Sequence, residues 1–198
     1  AAVGEAEKNT SGEIVPMIVP ASYHYPMADV LGGASLALPV AILLTYFLGG
    51  MLWVGPTNMW LFMGRFGIAF VVFQRVVQRI WPFKRVFISD REIEEEVHEA
   101  ALIAFFKEEL YRTRDETGIL VFVSVFEHRV WVLGDRGINA KVDQGQWDGI
   151  VAHIVAGIKS GQQADAICEA VKEIGGILAE HFPVREDDVD ELDNLIIS

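Results

Sequence analysis

The chain has 198 residues, 52% of them hydrophobic, and a formal net charge of -12. That acidic balance excludes nucleic acid as a partner, because such binders need clustered Lys and Arg to replace phosphate counterions. One cysteine, Cys168, excludes an internal disulfide and a cysteine-based metal site.

The chain opens Ala1-Ala2-Val3, and Glu5 to Lys8 reads as the end of a helix begun earlier. Thr10-Ser11-Gly12 is a turn signal, and Glu13 to Val19 reads as a strand closed by Pro20. Pro16 inside that strand predicts an edge or a bulge.

From 30 to 64 no side chain is charged, and 30–54 is an unbroken run of apolar or small residues. A helix needs roughly 20 such residues to cross hydrocarbon. Two membrane helices are predicted, at 30–54 and 59–80, joined by a short turn at 55–58. Pro39 in the first is tolerated in lipid. The run lies too deep in the chain for a secretory signal, and a second apolar stretch follows it. Trp53, Trp60 and Trp81 fall near the expected interfaces. The turn is uncharged, whereas the returning end carries Arg75, Arg79, Lys84 and Arg85, so both ends of the hairpin are predicted to be cytoplasmic. Arg65 either snorkels to the far headgroups or pairs with another subunit. Gly32 and Gly33, with Ala34, Ser35 and Ala37, give a small-residue face for close contact, within the hairpin or against another protein.

Ser89-Asp90-Arg91-Glu92 is a capping box. It opens a helix running to about Tyr111, with Ile93, Val97, Ala101, Ala104 and Phe105 as its apolar stripe. Ile119 to Val125 reads as a strand buried on both faces. Glu127-His128 is a turn, and Arg129 to Gly134 is the hairpin partner strand. Helices follow at 146–159, capped by Gly161, and at 163–181, stopped by Pro183. The tail 185–198 sets six carboxylates against Arg185, and is read as disordered or partner-binding.

Helices must cover both faces of this short sheet, which predicts an α/β fold: a three-layer α/β/α sandwich interrupted after its first strand by a transmembrane hairpin. The expected divisions are 1–28 and 85–183 for the sandwich, 29–82 for the hairpin, and 184–198 for the tail.

Several of these segments resemble the TPM domain family. Glu7-Lys8-Asn9-Thr10-Ser11-Gly12-Glu13-Ile14 resembles its opening, and Thr117-Gly118-Ile119-Leu120-Val121-Phe122-Val123-Ser124 its central strand. Gly134-Asp135-Arg136-Gly137-Ile138 resembles the turn after the third strand, and Trp147, Gly161 and Phe182-Pro183 fall in matching places. The resemblance covers 10–28 and 89–183, and is greatest to a bacterial membrane branch with a hairpin inside the domain. It implies an α/β/α sandwich, here at the bacterial inner membrane. It further implies service to membrane complexes: plant members of the thylakoid lumen assist photosystem II repair, with acid phosphatase activity ascribed to them. A nematode member modulates an acetylcholine receptor, and some bacterial members bind calcium. Most members have a soluble domain with a signal peptide or a carboxy-terminal anchor, and this chain departs from them there.

Glu13 begins the first strand and Asp135 ends the third, so both are candidate ligands for a hard cation such as Ca²⁺, with Asp115, Glu116 and Asp143 as further candidates. The plainer reading is that Glu13 and Asp135 cap backbone amides. A phosphatase needs a nucleophile or metal-activated water and a cation for the phosphoryl oxygens. Arg136 or Arg114 would supply charge, but no Cys-x5-Arg or DxDx(T/V) signature is present. The histidines lack metal-ligand spacing, and Cys168 reads as a small buried hydrophobe. The expected function is therefore a non-enzymatic accessory protein whose partners are the bilayer and a larger membrane complex or further copies of itself. The alternatives are a metal-dependent phosphatase at the membrane surface and a calcium-binding module without turnover.

Overall fold

In chain order the elements of the computed structural model are α1 (Ala2–Ala6), β1 (Glu13–Val19), α2 (Pro26–Met51), α3 (Met59–Arg79), α4 (Trp81–Lys84), α5 (Asp90–Lys107), β2 (Gly118–Ser124), β3 (Arg129–Gly134), α6 (Arg136–Asn139), α7 (Trp147–Ser160), α8 (Gln163–His181) and β4 (Ile196–Ile197). The structure describes residues 2–51, 58–184, 192 and 195–197. They form two units, Ala1–Tyr23 with Ile93–Ser198, and His24–Glu92.

The first unit is a four-stranded sheet in the order β3-β2-β1-β4. β1 and β2 run parallel with Glu13 opposite Gly118, and β3 returns antiparallel to β2. All seven residues of β2 are buried, as its apolar run predicts for a central strand. Ile14, Ile119, Val121, Val123, Val130 and Val132 form one core with the stripes of α7 and α8. On the other face α5 buries Ile93, Val97, Ala101, Ala104 and Phe105. Its His98 ring stacks on Trp131 at 4.3 Å, and Glu94 pairs with Arg129 at 3.1 Å. Helices on both faces make the three-layer α/β/α sandwich. α7 ends at Gly161, whose φ of 76° is the left-handed cap its sequence signals.

Pro16 causes no bulge, since the β1–β2 register is constant from Glu13 to Val19. The Glu13 N–H donates to Thr117 O (3.2 Å) and the Val125 N–H to Val19 O (3.0 Å), so odd residues of β1 bond toward β2. Even residues face away, and the Ile14 N–H donates to Glu7 Oε1 at 3.0 Å. The missing Pro16 donor therefore falls on the side where β4 pairs only Met17 and Ile18. Of the tail, Ile196–Ile197 form β4 and join the sheet beside β1. The reading of the tail as disordered or partner-binding falls mostly on 185–191, 193–194 and 198, which lie outside the described residues. α6 is a further short helix where a turn was expected, and Cys168 is exposed rather than buried. It sits one position off the Ile167–Val171–Ile174 stripe, on the outward side of α8.

At the exit of β1 the buried Glu127, 2% exposed, holds the departing chain. Its Oε1 accepts from the Ser22 N–H (3.0 Å) and Oγ (2.7 Å), and its Oε2 accepts from Ser124 Oγ. The Phe126 N–H also donates to Pro20 O at 3.0 Å.

The second unit is an antiparallel pair, α2 and α3. A Cβ on Gly33 would lie 3.1 Å from Gln74 Cα, and one on Gly32 3.0 Å from Val77 Cγ1. Ala37 and Ala41 are fully buried. The small-residue face thus brings the two helices of the hairpin together. Asn58 caps α3 by accepting the Leu61 N–H at 3.1 Å. At the base, Lys84 Nζ lies 2.9 Å from Asp29 Oδ1 and also donates to His24 O.

Candidate functional site: the amino edge of the sheet and the hairpin surface

The predicted site carboxylates come from the loops around the start of β2. Because β1 and β2 are parallel and β3 antiparallel, the first residues of β1 and β2 and the end of β3 share one edge. The Asp135 N–H donates to Gly118 O at 2.8 Å, and Gly118 pairs with Glu13, so Asp135 and Glu13 share that edge on opposite sides of β2. Glu13 is buried, at 7% exposure. Thr117 ties the strand entry together, its Oγ1 donating to Ser11 O (3.0 Å) and its N–H to Thr113 Oγ1 (2.9 Å).

The other candidates have local tasks. Asp135 Oδ1 accepts the Arg136 N–H at 2.7 Å and caps α6. Glu116 takes the Arg136 guanidinium in a fork, at 2.8 and 3.0 Å. Asp143 accepts the Gly145 N–H at 2.8 Å at the turn before α7. Among the described residues no three His, Cys, Asp or Glu side chains converge as a metal-holding group. Asp135 Oδ2 at this edge is buried and without a hydrogen bond among the described residues.

Glycines set the shape of this edge. A Cβ on Gly137 would stand 2.6 Å from Glu116 O and 2.8 Å from Asp115 O. A Cβ on Gly118 would strike Leu110 O, and one on Gly134 would lie 2.7 Å from Ile138 Cγ2. Only hydrogen fits where two backbones approach so closely.

On the hairpin, both helices are long and apolar enough to cross a bilayer, Pro26–Gly49 and Met59–Arg79. Their outward side chains are exposed: Phe47 at 68%, Trp60 at 83% and Ile68 at 70%. Trp60 opens α3 and Trp81 follows it, about 30 Å apart at 1.5 Å per residue, which matches the hydrocarbon thickness. Trp53 lies outside the described residues. Arg65 is half-buried, with its Nη1 shielded and unbonded among the described residues. It stands six residues past Met59, close to the far end of α3. Sequence reading missed the Asp29–Lys84 pair and the Glu127 clamp, because neither partner's local pattern signals the other.

Residues 85–177 match the family model of the TPM domain. That stretch of the chain is similar to the TPM domain. Its segments Thr117–Ser124 and Gly134–Ile138 are the central strand and the glycine-bound turn just described. Among solved structures the chain is similar to the BA42 protein from the psychrophilic bacterium Bizionia argentinensis, determined by NMR. The two are 21% identical with a TM-score of 0.58, over 100% of this chain and 88% of that one. At that identity the likeness establishes the shared fold. No curated protein gives a significant match.

The TPM turn makes a sharp prediction. Gly137→Ala forces a methyl onto two backbone carbonyls and should cost about 2–4 kcal/mol. Gly176→Ala, on α8 with nothing within 4 Å of the added carbon, should instead gain about 0.5–1 kcal/mol. Thermal unfolding of the detergent-solubilised protein checks both, and equal shifts in the two variants would contradict the close-approach account.

Proposed function

We propose that this chain is an accessory protein of a bacterial inner membrane. The hairpin crosses the bilayer, and the TPM domain lies on the cytoplasmic side and serves the assembly, stability or repair of a larger membrane complex. The observation that carries the reading is the outward apolar surface of α2 and α3. Removing one large apolar side chain from water is worth about 1.5–3 kcal/mol. Five such residues on this hairpin reach on the order of 10 kcal/mol, comparable to the whole stability of a domain. A core helix of a water-soluble protein turns such residues inward; here they face out, as lipid requires. Engagement of Asp135, Glu116 and Asp143 as caps and ion pairs supports a binding role over turnover.

The orientation rests on Arg75, Arg79, Lys84 and Arg85 at the base. Cys168, exposed on α8, reports on it directly. The chain is expected to stay in membranes after an alkaline carbonate wash. A membrane-impermeant maleimide should label Cys168 in inverted vesicles and leave it unlabelled in intact spheroplasts. Release by carbonate, or labelling in spheroplasts, contradicts the reading.

One observation favours a calcium-binding role for the same domain: the unbonded Asp135 Oδ2, at the same sheet edge as the buried Glu13. Oxygen ligands at such an edge suit Ca²⁺. Calorimetry with Ca²⁺ should then give saturable heat that Asp135→Asn abolishes, and a silent titration removes this role.

A further inference from the structure

Four basic residues flank the hairpin's base, but two of them are spent within it. Lys84 lies 2.9 Å from Asp29, and Arg85 lies 2.7 Å from Asp90. Arg75 and Arg79 are exposed and have no ion pair or hydrogen bond among the described residues. They stand one turn apart on α3, so their guanidinium groups project from one stripe. That stripe shares one shallow, open face of α3 and the residue after it with Val71, Val72, Val76 and Ile80. No carboxylate lines it. Val71 and Val72 lie up to about 12 Å along the helix from Arg79, at 1.5 Å per residue, while Val76 and Ile80 flank the arginines.

We propose that this face of α3 holds one anionic phospholipid. Its phosphate sits between Arg75 and Arg79, with Val76 and Ile80 beside the headgroup, and an acyl chain runs along Val71 and Val72. The inference rests on the membrane reading above and adds a headgroup preference to it. Three features select this occupant. Arginine forks match phosphate oxygens two at a time, which a zwitterionic lipid offers only with its own cation competing. The arginines sit at the end of the apolar span, where long cationic side chains reach the headgroup level. The apolar walls favour a ligand with a hydrocarbon tail over free phosphate, which has nothing to place there.

The test is lipid binding by the full chain in mild detergent, followed by native mass spectrometry. Phosphatidylglycerol is compared with phosphatidylcholine of the same acyl chains. Each arginine near a surface contributes about fivefold to anionic-lipid affinity, so the wild type should prefer phosphatidylglycerol by roughly twentyfold. R75Q or R79Q should each lose about fivefold, and the double variant should bind the two lipids alike. R85Q removes the same charge from a residue already paired with Asp90, and should leave the preference largely intact. Equal binding of both lipids by the wild type overturns the inference. So does a loss in R85Q as large as that in R79Q, which would mean diffuse charge in place of a built site. A chain that inserts into liposomes yet shows no preference overturns this inference alone; a chain that carbonate releases from membranes overturns the membrane reading and this inference with it.

Discussion

Two parallel strands side by side need a connection that carries the chain back to the end where the first strand began. Between β1 and β2 that connection also contains the hairpin. The insertion is compatible with a continuous β1–β2 register only if it returns the chain to where it left. Close contact of α2 with α3 does this. Gly32 and Gly33 let the backbones approach, Ala37 and Ala41 fill the seam, and the Asp29–Lys84 pair closes the base. That pair is largely shielded, with side-chain exposures of 10% and 14%. Removing one member would strand a shielded charge, which typically costs 3–5 kcal/mol. The pair therefore acts as a latch on the geometry, whatever its net contribution against an apolar replacement.

The two ends of the sheet are built differently. Open α/β sheets place ligands outside the carboxyl ends of their parallel strands. Here that end is taken up by Glu127, which grips Ser22 and Ser124 where the chain leaves for the hairpin. The loop carboxylates Glu116 and Asp135, with Glu13, gather at the opposite, amino end. There they cap, pair and line a turn that glycines keep tight. The TPM segments are thus recognisable for a backbone reason: Gly118, Gly134 and Gly137 are the places where a side chain has no room.

Much of this was legible along the chain. The hairpin declared itself through an uncharged run of length fitted to a bilayer, and the stripes of α5, α7 and α8 through helical spacing. The cap at Gly161 and the central burial of β2 were equally local. What escaped depended on distant partners. Ser22 and Glu127 are 105 residues apart, and Asp29 and Lys84 are 55 apart, so no window of sequence contains either contact. β4 is two residues long, too short for an alternating pattern. Pro16 suggested an edge or a bulge because its neighbours on each side were unknown; the lost donor matters little on the side where β4 is so short. Cys168 was misread because it adjoins Ile167, yet one residue along a helix turns a side chain by about 100°.

The central claim is that hydrocarbon, and neither water nor protein, covers the outward faces of α2 and α3. Ile68, midway along α3 and 70% exposed, is the place to ask. A nitroxide attached at Ile68→Cys in a Cys168→Ser background, with the full chain in liposomes, compares collisions with oxygen and with a water-soluble nickel chelate. The account predicts frequent encounters with oxygen and few with nickel. Dominant collisions with nickel would place this face in water, and scarcity of both would place it inside protein; either result would contradict the account.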